Sequence, residues 1–278
     1  TPDPALASPT PTLLAASPTS IASPTPLPGA DAPPQPEYEK QGPNNCGPAT
    51  LSMYLHSYGW QGNQENITEK IKPLEGDRNV NVEELAYFVN NFAGWLRVQY
   101  RVGGDIPTLK KFLAAGYPVL IEGETKVDQQ YWPSDDLWAG HYLLVTGYDD
   151  QARVMIVMDA FRDYNKQMRY ADFLADWQSF NYVYIVVYPT DQETTIQRLL
   201  GEEWNADTNR QHALEKARAE TAENPESAYA WFNLGSNQVY FGQYAEAAAS
   251  YDNARALELP QRMLRYQFGP FFAYFHSG

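Results

Sequence analysis

The chain has 278 residues but only one cysteine, Cys46, so no internal disulfide can form. Cations are also scarce, with 20 Lys and Arg against 34 Asp and Glu and a formal net charge of -14. Nucleic-acid binders carry an excess of Lys and Arg to displace counterions, so no nucleic-acid partner is expected, and an anionic membrane surface is disfavoured for the same reason. Long apolar runs are missing: the longest, residues 182–188, falls far short of the roughly 20 residues that cross a bilayer, so no membrane-spanning segment is expected. There is no Gly-rich phosphate loop, His/Cys zinc cluster or Ser-His-Asp spacing, and neither a cofactor nor a metal is expected. Asp77, Asn79 and Asn81 have the spacing of a calcium loop. Val82 and Phe88, however, stand where that loop needs glycine and a bidentate glutamate, so the stretch reads as a helix cap.

Through Pro36 the chain has no aromatic residue and no Lys or Arg, and Ala-Ser-Pro-Thr recurs at Ala7, Ala16 and Ala22. Such a segment cannot bury enough surface to offset chain entropy, and residues 1–37 are read as a disordered Pro/Ser/Thr-rich tether. Stalks of this composition commonly separate a folded domain from an anchor in exported proteins. The expected location is therefore extracytoplasmic, secreted or tethered to the outer face of a membrane, and an interdomain linker is the alternative. In an exporting compartment a lone thiol needs a use.

The rest is globular, with 44% apolar and 14% aromatic residues overall. Behind Cys46, Leu51, Tyr54, Leu55 and Tyr58 recur at helical spacing and Gly59 ends the run, giving an amphipathic helix with the cysteine at its start. A second helix is predicted behind Asn81 and Glu84, spaced as a capping box and closed by Gly94. A third runs from Ile106 to Gly116. Short Val-, Ile- and Tyr-rich runs follow at 117–124, 141–150, 153–160 and 182–189 and read as strands. Helices gathered before an antiparallel sheet make an α+β domain.

A helix N-terminus lowers a thiol's pKa, and Cys46 directly precedes Gly47-Pro48, with proline favoured in a first turn. The placement suits a nucleophile, which then needs a base. Of four histidines, His56 rides the same helix about 15 Å away, and His212 and His276 lie in the carboxyl-terminal helices. His141 remains. If the hairpin after it turns about Asp150, His141 faces Asp159 across the ladder, and the acid can orient the imidazole. A two-residue turn would shift the register by one.

The stretch QGPNNCGPATLSMYLHSYG, followed by GHYLLVTGYDD and VMIVMDA, resembles the papain-like peptidases of cysteine peptidase family 39. These are the enzymes that process bacteriocin precursors after double-glycine leaders, together with their stand-alone relatives. The resemblance covers about residues 38–190. It implies a Cys-His-Asp triad of Cys46, His141 and Asp159, with the Gln41 amide and the Cys46 N–H as oxyanion hole, acting on a peptide or protein substrate. The spacing from Gln41 to Cys46 is that of the stand-alone members. Trp132, Trp138 and Gly140, just ahead of His141, are the candidate substrate-binding positions; the loop bearing both tryptophans either walls a peptide groove or packs against the helices beyond.

From residue 193 to 278 the period changes. Leu200-Gly201 recurs as Leu234-Gly235 and Ala213 as Ala247, each 34 residues on, the tetratricopeptide spacing. Trp231, Leu234, Gly235, Ala247, Tyr251 and Ala254 fit the second copy, and the first is weaker. Two hairpins plus one helix are expected, close to the minimum for such an array, so it must lean on the first domain or continue beyond this chain. The expectation as a whole is an α+β papain-like cysteine peptidase domain followed by an all-α tetratricopeptide-type helical repeat. The repeats would bind a protein partner. The alternative is a non-catalytic adaptor with a degenerate peptidase-like domain.

Overall fold

The structure, a computed structural model, describes residues 27–74, 76–130 and 133–278. It opens with β1 (Ala30–Asp31), α1 (Cys46–His56), α2 (Gln64–Ile71) and α3 (Val82–Phe92). Next come β2 (Leu96–Arg101), α4 (Ile106–Ala114), β3 (Val119–Lys126), β4 (Trp138–Asp149), β5 (Val154–Asp159) and β6 (Asp163–Arg169). α5 (Tyr170–Gln178) and β7 (Tyr184–Pro189) complete the α+β unit. The helical part comprises α6 (Glu193–Leu200), α7 (Ala206–Glu223), α8 (Ala228–Tyr240), α9 (Tyr244–Ala256) and α10 (Gly269–Ser277).

The sheet is antiparallel in the order β2-β7-β3-β4-β5-β6, with β1 added to β4. The expected strands are present. β2 and β6 were not read from the sequence, β6 because most of its side chains are exposed and it has no clean alternation. The expected cap on α3 is a complete box: the Asn81 side chain accepts from Glu84 N–H, and the Glu84 carboxylate accepts from Asn81 N–H. Gly59, Gly94 and Gly116 close their helices with positive φ.

Two expectations change. α1 is not amphipathic: every residue from Gly47 to Leu55 is buried, and Thr50 satisfies its hydroxyl on the Tyr142 carbonyl at 3.3 Å. It is a central helix wrapped by the sheet and by α2 and α3. The end of the segment read as a disordered tether also pairs as a strand. Beyond Val119, where β3 ends its pairing, Tyr148 and Asp149 of β4 present free backbone groups, and Ala30 and Asp31 occupy that edge. Gly29 accepts from the Asp150 N–H at 2.8 Å, and Gln35 reaches Thr146 at 3.4 Å. Residues 1–26 lie outside the described residues.

In the helical part, α8 and α9 pack against each other. Gly235 admits the Tyr251 ring, since a Cβ there would stand 2.8 Å from it. The first copy departs from expectation. Gly201, with positive φ, stops α6, whose Ile196 and Leu200 are buried in the core on the α4 side of the sheet. α7 instead packs on α8 and on the β2 end: Asn209 both accepts from the Val102 N–H at 3.1 Å and donates to its carbonyl at 2.9 Å. Gly103 there comes within contact of Ala213. Phe232, Tyr251 and Met263 share one apolar cluster with Leu51, Phe88 and Tyr142, so the helices lean on the α+β unit through a continuous core.

Candidate active site

Cys46 is the first residue of α1. The turn ahead of it carries Asn44 at φ 54°, a conformation Asn tolerates, and the buried Lys72 donates from Nζ to the Asn44 carbonyl at 2.6 Å. Asn45 does not cap the helix with its side chain. It bridges instead to α2, donating to Gln64 Oε1 and accepting from the Thr68 hydroxyl, both at 2.8 Å. Sequence reasoning missed this scaffold because α2 is short and polar. The one signal for α2 was Asn63 and Asn66 at capping spacing.

His141 projects from β4 and Asp159 from the end of β5, both buried. His141 Nε2 donates to Asp159 Oδ1 at 2.7 Å, and the same oxygen accepts from the N–H groups of Phe161 and Arg162 at 3.0 and 3.2 Å. The imidazole and the Cys46 thiol line the same cleft and are electrostatically coupled. The contact forms in a register different from the expected one. The hairpin pairs Asp149 with Val154, which on its own would put His141 and Asp159 on opposite faces of the sheet. A β-bulge between Val145 and Gly147 shifts the pairing by one, so that Leu144 faces Met158. Continued, this register sets Asp159 opposite Leu143, a diagonal neighbour of His141 on the same face.

Burial pushes the Cys46 thiol up, but the hydrogen bond and charge of His141, aided by contacts to the Tyr142 and Gly47 backbone, outweigh it and leave the thiol below its ordinary value. Burial lowers the His141 imidazolium, yet Asp159 and Cys46 overcome that and hold it up at about 9. Asp159 sits at about 2, because bonds to His141, Lys166 and the Phe161 backbone outweigh burial. The arrangement favours a thiolate beside an imidazolium. Glu122, beneath the same cleft, is held well above the usual carboxylate range by burial, so a neutral acid lies near the thiolate.

These groups open on a cleft of about 390 Å³ lined by Gln41, Cys46, Gly140, His141 and Phe161, and also by Arg262 and Tyr266. The Gln41 N–H donates to the Ala160 carbonyl at 2.9 Å, which pins its side chain next to the Cys46 turn; its Oε1 is buried without a partner. The structure brings Gln41, Cys46, Gly140 and His141 to one cleft, with Asp159 bonded to His141. Trp138 is corrected. Its indole donates to Glu124 at 2.6 Å and stacks on Phe180, behind the wall of the cleft, because the helical part covers that face. Trp132 lies outside the described residues.

A family model described as the Peptidase_C39 like family matches residues 31–185. The chain belongs to that family. Among solved structures it is similar to Xylellain, a cysteine protease from Xylella fastidiosa, at 16% identity over 59% of this chain and 87% of that one, with a TM-score of 0.45. It is also similar to the peptidase domain of Streptococcus ComA, a bifunctional ABC transporter of a quorum-sensing pathway, at 17% identity over 56% and 98% of the two chains, TM-score 0.43. A third is a double glycine motif protease from an AMS/PCAT transporter in complex with the leader peptide, at 14% identity over 58% and 95%, TM-score 0.42. No curated protein matches.

Proposed function

We propose that this member of the family is an active cysteine peptidase with Cys46 as nucleophile. The observation that carries the reading is the joint placement of Cys46 and His141 at one side of the cleft, with the His141 ring bonded to Asp159 through Nε2. The thiolate attacks the scissile carbonyl. The Cys46 N–H and the Gln41 side-chain amide take the oxyanion, and the His141 imidazolium gives its proton to the leaving amine. A thioester remains on Cys46. Neutral His141 then takes a proton from water as the water attacks, the C–S bond breaks, and the acid is released with the thiolate and imidazolium restored. Asp159 keeps the ring oriented and stabilises its charged form. The substrate is a peptide, which the cleft dimensions and the family suit; the Pro/Ser/Thr-rich composition ahead of the domain supports an extracytoplasmic setting.

For the helical part we read a tetratricopeptide-type hairpin in α8 and α9, supported by Trp231, Leu234 and Gly235 against Ala247, Tyr251 and Ala254. Iodoacetamide should label Cys46 much faster than a free thiol near pH 7, and His141→Ala should remove that advantage. Labelling at the rate of a free thiol would overturn the peptidase reading and favour a binding role for the whole chain.

A further inference from the structure

Part of the lining of the cleft comes from outside the peptidase domain. It is made by the short turn after α9, residues 261–267, which crosses back over the sheet from the helical part. Arg265 forks onto Asp135 at 2.9 and 3.2 Å, the Arg262 N–H donates to Asp136 Oδ2 at 3.1 Å, and Gln267 Nε2 donates to the Ser179 carbonyl at 2.8 Å. From the peptidase side, Asn79 Nδ2 donates to the Arg265 carbonyl at 2.8 Å. These bonds hold Tyr266 in a defined place. Its ring stands edge-on to Trp138 at 5.3 Å and to Phe180 at 6.2 Å, and it lies so close over Gly140 that a Cβ there would be 2.8 Å from the ring. Gly140 immediately precedes His141, and Tyr266, half-buried, faces the same cleft as Cys46.

Resting on the peptidase reading, we propose that Tyr266 is a specificity-determining residue: it fills the space over Gly140 and limits the size of the substrate residue that can lie beside His141. The helical part is then a structural component of the peptide cleft as well as any binding surface it offers. A peptide backbone can pass along the remaining cleft, while a bulky side chain directed at Gly140 meets the phenol ring. The ring cannot yield readily, since Trp138 and Phe180 stand behind it and the turn on either side is bonded to the peptidase domain.

The test uses the whole chain and a set of peptidyl chloromethyl ketones that carry Gly or Phe at each successive position, every rate divided by the iodoacetamide rate of the same variant. In the wild type one position should favour Gly over Phe by at least about tenfold. Tyr266→Ala should erase most of that preference at that position alone, and Tyr266→Phe, which keeps the ring, should retain it. If Tyr266→Ala loses its cooperative melt, Tyr266→Leu, which refills the contact with Trp138 but is shorter, should give a partial loss. A preference identical in wild type and in the truncated variants at every position would overturn the proposal. Fast iodoacetamide labelling together with that result would leave the peptidase reading standing, whereas slow labelling throughout would overturn that reading and this inference with it.

Discussion

The two walls of the cleft are held by different physics. On one side Cys46, His141 and Asp159 are bonded within a continuous core, and the carboxylate that anchors them is only 1% exposed. On the other, Arg262 and Tyr266 arrive from a segment more than a hundred residues distant and are latched by polar contacts, with the Arg265 side chain 45% exposed. Buried, multiply bonded charge resists displacement most, whereas an ion pair with one half-exposed partner contributes less. On the proposed reading, chemistry and selectivity are thus carried by different parts of the molecule.

Removing His141 should break the first wall most severely. His141→Ala should cost at least ~10⁴ in kcat/KM for any cleavable peptide, since members of such a unit fail together, and a peptide assay with a fluorescent leaving group would register it. Asp159→Asn comes next, with a loss of about tenfold or more. It should also lower stability by about 2 kcal/mol at neutral pH, seen as a fall in Tm, because the carboxylate's depressed value is a stabilising term present above its ordinary 3.8 and lost as pH falls through about 2. The pH profile sharpens this point. The imidazolium is raised, so its stabilising contribution is full below the ordinary 6.5 and fades as pH rises through about 9, where kcat/KM should decline as the proton for the leaving amine is lost. In Asp159→Asn that alkaline limb should move to lower pH, and an unmoved limb would mean that Asp159 does not set the state of His141.

The second wall should give smaller effects. Gly140→Ala drives a methyl into Tyr266 and Phe180 and should destabilise by about 1–3 kcal/mol in chemical denaturation. In a Tyr266→Ala background the same change should cost less, since one of the two obstacles is gone. Arg265→Ala, which leaves Asp135 only the longer 3.7 Å pair with Arg262, should cost about 1 kcal/mol and loosen peptide selectivity while kcat for a small peptide stays near wild type. Equal effects of Arg265→Ala and Asp159→Asn on turnover would erase the distinction between the walls.

Much of the first wall was legible in the sequence and little of the second. Cys46 at a helix start, the box of Asn81 and Glu84 and the strand around His141 are local patterns set by short-range geometry. The bulge at Thr146 was not legible, because a threonine suits a regular strand as well as a bulged one. Asp159 was nonetheless found, since the bulge restored the face that the four-residue turn would have exchanged. Tyr266 left no such trace. Its segment reads as half a helical repeat, and what fixes it is a contact with Gly140 over a hundred residues away. The one available sign was charge complementarity between the adjacent Asp135 and Asp136 and the pair Arg262 and Arg265.

The seam of β1 on β4 has a mechanical meaning. Any pull transmitted along the amino-terminal segment enters the fold at Pro28 and Gly29, where the carbonyls accept from the Tyr148 hydroxyl and the Asp150 N–H, each at 2.8 Å. Those bonds and the two-residue ladder of Ala30 and Asp31 lie ahead of Tyr38, Gln41 and Cys46 on the load path. A pull on that segment would load them before it reached Tyr38 and Gln41, whose own bonds to the Asp159 and Ala160 carbonyls anchor the site. A strand of two residues thus stands between the chain ahead of it and the bonds that position the thiol.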